Sequence, residues 1–526
     1  VATAANRRLD NLVHWPLVTI LFLLLVYFYY LGWSLSLASP YGLGEEGSSM
    51  WASLALSENR NPYDFARLYS HPWQCVVYPP VYFSLVGWIF KITGAAFYPM
   101  RMFSMGAFVV SLVTGYRIFT LSGCSKLARI VGLLVFSSFW TIWSYSFKGR
   151  VDMLSLTFVL LAIQQYLVLA RKPKDDNLFR LPRLIVIATL CLAAAFTKQA
   201  ALVVVPAIAA ALIIGRQWRL SLFFMGLSSF LLIVTAWLLN NATAGGFLNH
   251  MLFAAQAPFQ WQALYKHLLW LGSNWLPFLL TPVSLFIVIA AYIRDGEQRQ
   301  GPYRRHLSAL ALITTLFVLS SVLAFYSLGA EFANVDETMV TAFCCAWLLA
   351  LAVDQTKRRF LFLIFISMAV SIYVISDLSE RLNKAVIPMI NAREIMRSVP
   401  FNKKLMLCED CSVAIDLDAG PEFVDIATFL QTWRATPGLL EGPMSEIKNR
   451  INRKEYGALV LNSRDGCLLK PYYYWDQSVI EAVKNNYQPI GAFMDEGRMQ
   501  DFYLPKISDQ PAAYKRKRAL DEQINP

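Results

Sequence analysis

Residues 15–37 form an apolar run without a single charge, and runs of the same kind recur as far as residue 376, separated by short polar breaks. A helix needs about 20 such residues to cross the hydrocarbon core of a bilayer. Helices and closed barrels alone can do so, because every backbone polar group must be satisfied inside the span. The repetition therefore commits most of the chain to a bundle of membrane helices. Composition agrees: 56% of the 526 residues are hydrophobic and 16% charged, against about a quarter charged in soluble domains. The net charge of +12 does not point to nucleic acid. Lysine and arginine gather in the breaks between apolar runs, where they set orientation, and no basic stripe is interleaved with aromatics.

The positive-inside rule orients the chain. Arg7 and Arg8 precede the first run, which places the N-terminus in the cytoplasm. The run ends without a small-residue cleavage site and reads as a retained helix. A first outer loop covers about 38–99. Within it, residues 79–90 are apolar but short and open on Pro79-Pro80. A span there would invert every later loop, so this segment reads as a juxtamembrane helix. Further spans follow at about 100–116, 130–145, 153–170, 184–196, 200–214, 220–239, 275–293, 307–328, 339–353 and 360–376. That makes about eleven transmembrane helices, in a membrane module of residues 1–376. Residues 377–526 read as a soluble α/β domain on the outer side. Helices are expected at 391–399, 445–453 and 479–485, and strands at 404–408, 414–417, 458–462, 490–494 and 501–504. Cys408-Glu-Asp-Cys411 fits a disulfide in an oxidising compartment better than a zinc site, which would need a second pair.

The outer loops carry the candidate chemistry. Glu45 and Glu46 stand in a glycine-flanked loop just past the first span; a carboxylate there can act as general base toward a hydroxyl, or simply cap the helix that follows. Arg150 and Asp152 flank the start of a span, as a terminal ion pair or a phosphate or metal contact. Lys198 is nearly alone among apolar residues, either snorkelling or offering a point charge to a phosphate. His250 follows a Gly-Gly pair, and Asn334, Asp336 and Glu337 open a late span, where capping is a sufficient role. There is no P-loop, His-Glu-x-x-His or Gly-x-Ser-x-Gly motif, so ATP-driven transport by this chain is not expected. Carboxylates beside Lys and Arg suit group transfer from a phosphate-bearing lipid. A lipid-linked glycan transporter and a non-catalytic membrane receptor are the alternatives.

The order of the loop motifs resembles one known family. Glu45-Glu46-Gly47, Asn61-Pro62-Tyr63, Tyr78-Pro79-Pro80-Val81-Tyr82, Met100-Arg101, Arg150-Val151-Asp152-Met153, Thr197-Lys198-Gln199, Gly245-Gly246-Phe247 with Asn249-His250, and Gly329 to Asn334 followed by Glu337 resemble the GT-C glycosyltransferases of family 39, the dolichyl-phosphate-mannose–protein mannosyltransferase-like group. The resemblance implies a polytopic helical fold with juxtamembrane helices in the first outer loop. It implies a polyprenyl-phosphate sugar as donor, and a glycan, lipid or protein acceptor at a bacterial inner membrane. It implies an acidic residue of the first outer loop, Glu45 or Glu46, as catalytic base, with Asp152 as a further acidic site residue. Lys198, Arg150 and Arg101 would contact the donor phosphate, and Tyr78, Gln199, His250, Asn334 and Glu337 would contact substrate. Some members hold a divalent metal at the position of Asp152. The second carboxylate they use, just ahead of the Pro-Pro pair, is replaced here by Val77 and Tyr78. No other cofactor is implied.

Overall fold

The computed structural model describes residues 2–506 except 41, 44–45, 172–176, 255–258, 271–274, 297–302, 330–334, 357–360, 398–404, 409–422, 426–440, 464–474, 476 and 496–497. Helix α1 (Ala2–Ala38) leads into the first loop, which holds α2 (Glu46–Ser57), α3 (Ala66–Tyr69) and α4 (Val81–Thr93). Next come α5 (Phe97–Leu121), α6 (Lys126–Ser138), α7 (Trp140–Ser146), α8 (Val151–Arg171) and α9 (Asn177–Ala195). A 3-10 turn, Gln199–Val203, joins α9 to α10 (Val204–Ile214). The membrane region continues through α11 (Trp218–Ala242), α12 (Gly246–Ala254), α13 (Trp261–Trp270), α14 (Trp275–Gly296), α15 (Tyr303–Leu328), α16 (Met339–Gln355) and α17 (Leu361–Arg397).

Each of the expected apolar runs falls on a helix or on a pair of helices. Among the described residues seven helices are long and apolar enough to cross a membrane, and α6 with α7 makes an eighth if the pair is one span. That pair bends by 72°, because Phe139 takes an extended conformation at ψ 122° and interrupts the helical ladder. The expected runs at 184–196 and 200–214 correspond to α9, which starts earlier at Asn177, and to the short α10 behind its 3-10 turn. Side-chain burial follows the same logic as in a bilayer-facing bundle. Helix α16 lies at the centre, 83% buried, while α11 at the periphery is 11% buried. The exposed face of α11 carries Phe230, Ile233 and Trp237, and that of α1 carries Phe22, Leu23 and Tyr30; such surfaces suit lipid, not water.

Local chemistry sets several helix ends. Pro80 caps α4, and Gly94, at φ +80°, closes it, where a residue with a β-carbon would be strained. Ser125 caps α6 by accepting from the Ala128 amide, and Asp354 at the end of α16 in turn accepts from the Ser125 amide at 2.7 Å and from its hydroxyl. A helix start and a helix end are tied through one serine.

Helix α17 does not stop at residue 376. It runs on to Arg397 and delivers the chain to a five-stranded sheet. The sheet contains β1 (Met406–Cys408), β2 (Phe423–Asp425), β3 (Ala458–Ser463), β4 (Tyr487–Asp495) and β5 (Arg498–Pro505), in the order β2-β1-β3-β5-β4. Strand β1 is parallel to β2 and β3, while β5 is antiparallel to β3 and β4. Helices Glu441–Asn452 and Gln477–Asn486 pack Met444, Ile447 and Ile451, and Val479, Ile480 and Val483, into its core. The expected strand at 414–417 lies outside the described residues, as do Cys411 and Cys467. The sheet domain is not isolated: Leu68, Trp73 and Cys75 of the first loop join the cluster of Leu407, Ile447, Tyr456 and Leu459.

Candidate active site

Three breaks between helices bring charged side chains to one point. Arg150 and Asp152 start α8. Lys198 follows the end of α9 in an extended conformation, at φ −150° and ψ 121°. Asp336 and Glu337 lie in a 3-10 turn, Val335–Thr338, ahead of α16. The Lys198 ammonium is 2.8 Å from Asp152 Oδ1 and 3.1 Å from Glu337 Oε1, and it also bonds Asp336 Oδ2. Arg150 Nε donates to Asp152 Oδ2 at 3.0 Å, and its Nη2 lies 3.6 Å from Asp336 Oδ2. All except Glu337 are less than a tenth exposed. Charges so placed are costly unless each is paired, and here acids and bases interleave.

The fourth wall comes from the first loop. The Tyr78 hydroxyl accepts from Arg150 Nη2 at 3.1 Å, and the Tyr78 ring stands 5.9 Å from the Lys198 ammonium. Burial lifts the Tyr78 hydroxyl well above its ordinary pKa, so it remains a phenol. Behind the charges a cleft opens. Asp152, Lys198, Asp336 and Glu337 line its head, with Ser155 and Ser320 beside them, and Leu156, Leu323, Met339 and Val340 form apolar walls. A head of interleaved charges that includes the Lys198 ammonium, set on an apolar groove, can hold an amphiphile by its polar end.

A second charged cluster adjoins the first. Glu46, in the first turn of α2, is fully enclosed: its carboxylate accepts from the Leu43 amide at 2.6 Å, Arg101 Nη2 at 2.7 Å and the Gly149 amide. Arg101 also donates to the Ser36 and Ser39 carbonyls. This arrangement binds the end of α1, the start of α2 and α5 to the residue just before Arg150. A β-carbon on Gly149 would stand 2.7 Å from that of Met100, so the approach requires glycine.

His250 and Gln199 hold the loop that carries Tyr78. His250 Nδ1 accepts from the Val76 amide at 3.0 Å, and Nε2, 3.1 Å from the Asp64 carbonyl, then carries the proton. Burial lowers its pKa from the ordinary 6.5 to about 4, so it is neutral at neutral pH. The stability it lends is whole above about 6.5 and falls away as the pH drops toward 4. Gln199 Nε2 donates to the Val77 carbonyl at 3.0 Å. The Tyr63 ring packs edge-on against Phe247 and His250, and its hydroxyl donates to the Tyr78 carbonyl at 2.8 Å. The Asn61-Pro62-Tyr63, Tyr78-Pro79-Pro80 and Gly245-Gly246-Phe247 motifs thus meet. Gly246 is where they touch: a β-carbon there would lie 1.7 Å from the Tyr63 carbonyl oxygen. Gly246→Ala should therefore cost about 1–3 kcal/mol, read as a lower melting temperature of the purified protein, and it should loosen the 64–78 loop to proteolysis.

Of the residues expected from sequence, Arg150, Asp152, Lys198, Tyr78 and Glu337 come together in one cluster. Glu46 and Arg101 pair with each other in the adjoining one. Gln199 and His250 support the loop from below. Glu45 and Asn334 lie outside the described residues. Asp336, which the sequence offered only as a cap, is central, as its bonds to Lys198 show. Lys148, buried over the Tyr145 ring at 4.9 Å, had no sequence signal beyond its neighbours. Among the described residues no group of three His, Cys, Asp or Glu side chains is placed to hold a metal ion. The acids that converge do so on an ammonium, and both oxygens of Asp152 are engaged by Lys198 and Arg150.

No known protein-family profile and no curated protein matches the sequence. Among solved structures, the chain is similar to ArnT from Cupriavidus metallidurans bound to undecaprenyl phosphate, with a TM-score of 0.54 and 13% identity over 93% of this chain and 99% of that one. The same protein in its apo state gives a TM-score of 0.50 and 12% identity over 92% and 98%. The oligosaccharyltransferase of Archaeoglobus fulgidus is more distant, at a TM-score of 0.47 and 13% identity over 90% of this chain and 72% of that one. Identities this low speak for the fold alone, and in fold the chain is a polytopic helical membrane protein of the GT-C type with a small α/β sheet domain at its C-terminal end.

Proposed function

We propose that this chain is a membrane glycosyltransferase that moves a sugar from a polyprenyl-phosphate-linked donor to an acceptor hydroxyl. The observation that carries the reading is the buried Lys198 ammonium at the head of an apolar-walled cleft, with Arg150 joined to it through Asp152 and Asp336, on a fold shared with an ArnT bound to undecaprenyl phosphate. The lipid chain would lie along Leu156, Leu323 and Val340, with its phosphate against Lys198 and Arg150. The acceptor hydroxyl gives its proton to a carboxylate and its oxygen attacks the anomeric carbon. The bond from that carbon to the phosphate oxygen breaks, and the two cations take up the charge left on the phosphate. A single displacement of this kind inverts the anomeric centre.

The base is Glu45. Its neighbour Glu46 has its carboxylate enclosed by Arg101, Leu43 and Gly149, which leaves no lone pair facing an acceptor. The basic breaks between spans put the N-terminus in the cytoplasm, with Glu45, the charged cluster and the sheet domain on the outer face of a bacterial inner membrane. The acceptor is a glycan, lipid or protein. Incubating the purified chain with polyprenyl-phosphate sugars and measuring released polyprenyl phosphate tests the reading. Movement of labelled lipid across vesicles without its consumption would instead make the chain a transporter. Glu45→Gln should slow release by about 10²–10⁴-fold, the range for loss of a general base. Full activity in that variant would remove Glu45 from the mechanism.

A further inference from the structure

Asp336 stands where a phosphate oxygen would. Its Oδ2 bonds the Lys198 ammonium and lies 3.6 Å from Arg150 Nη2, so one oxygen spans both cations. Its Oδ1 is buried and has no hydrogen-bond partner among the described residues. Asp152 differs, since each of its oxygens is held by a separate cation. The carboxylates of Asp152, Asp336 and Glu337 already outnumber the two cations they face. A bound phosphate adds further negative charge, so an acid must release its hold. Asp336 and Glu337 each meet these cations through a single oxygen, on a 3-10 turn and not on a long helix, and of the two Asp336 spans both cations.

The donor and the lipid product differ in charge. A sugar phosphodiester carries one negative charge. The polyprenyl monoester left behind has a second ionisation near pH 6 and is largely dianionic at neutral pH. The product therefore grips Lys198 and Arg150 more tightly than the donor does, and its departure needs a competing anion. We infer that Asp336, assisted by Glu337, is that competitor: a positioning residue that recaptures Lys198 and Arg150 and so drives release of the lipid phosphate. The inference rests on the transferase reading above.

The test is equilibrium binding of a long-chain polyprenyl monophosphate to the full-length protein in detergent, with the phosphate-free polyprenol as control. Asp336→Asn keeps the shape and removes the ionisable carboxyl group. It should tighten monophosphate binding by about ten- to a hundredfold, the worth of one contact to a charged group, and leave the polyprenol unchanged. In turnover, kcat and the KM for donor should fall together, as release becomes slow. Lost packing alone would weaken binding, not tighten it. If the wild type binds the monophosphate, Lys198→Ala loses it and Asp336→Asn binds no more tightly than wild type, the inference fails while the transferase reading stands. If the wild type does not bind the monophosphate at all, both fail. Should Asp336→Asn not fold, Glu337→Gln, which removes the outermost acid, carries the same test by the same readout.

Discussion

Lys198→Ala should slow release of polyprenyl phosphate by about 10²–10³-fold, the loss seen when one preorganised donor to a developing anion is removed. The ammonium is placed for that task. It is buried, 2.8 Å from Asp152, and shares Asp336 with Arg150, so it needs little reorganisation when a phosphate oxygen replaces a carboxylate. The same variant leaves buried carboxylates short of a cation, and breaking such a cluster costs about 3–5 kcal/mol while the acids stay ionised. Activity must therefore be read at a temperature where the melting curve shows the variant folded. Arg150→Lys is the companion. It keeps the charge but cannot reach Asp152 and the Tyr78 hydroxyl together as the guanidinium does, and Lys lacks the planar fork. It should lose less than Lys198→Ala. A folded Lys198→Ala that released lipid phosphate within threefold of wild type would break the link between this cluster and the chemistry.

Much of this arrangement was written in local sequence. The apolar runs, the basic breaks and the Pro-Pro start of α4 are one-dimensional signals, and they led to the helices that are present. What local sequence cannot carry is pairing across long separations. Glu46 reaches Arg101 and Gly149, and nothing near Glu46 announces them; without these partners the two adjacent glutamates look alike. Asp336 opens a helix, where an acid reads as a cap, and its bond to Lys198 reaches across 138 residues of chain. The hold of His250 on the Val76 amide and the Asp64 carbonyl lies wholly in tertiary structure, and no local signal carries it. The end of α17 was hidden for another reason. Asp377, Glu380, Arg381 and Lys384 look like the start of a soluble domain, yet Arg381–Asp377 and Lys384–Glu380 are exposed i,i+4 pairs at 2.8 and 2.6 Å. Such pairs support a helix as it leaves the apolar region, so polarity rose while the helix continued. Strand β2 is only three residues long, too short for alternation to register.

Arg101→Met should lower stability by about 3–5 kcal/mol, the cost of leaving a buried carboxylate without its cation. Arg101 is 1% exposed and Glu46 fully enclosed, so water cannot take over. The Ser36 and Ser39 carbonyls at the end of α1 lose the guanidinium bond in the same step, although the Ser36 carbonyl keeps the Ser39 amide. Combining Glu46→Gln with Arg101→Met removes the stranded charge and should recover part of the loss. The difference between the double variant and the sum of the singles measures the pair directly. The cycle also decides what Arg101 is for. Sequence likeness would have it grip the donor phosphate; its position, with Glu46 on one side and the end of α1 on the other, makes it a brace for the segment that presents Arg150. A brace predicts a large fall in melting temperature, strong coupling to Glu46, and nearly normal affinity for polyprenyl monophosphate in whatever protein remains folded. A phosphate ligand predicts the reverse: weakened monophosphate binding, little coupling to Glu46, and a melting temperature close to wild type.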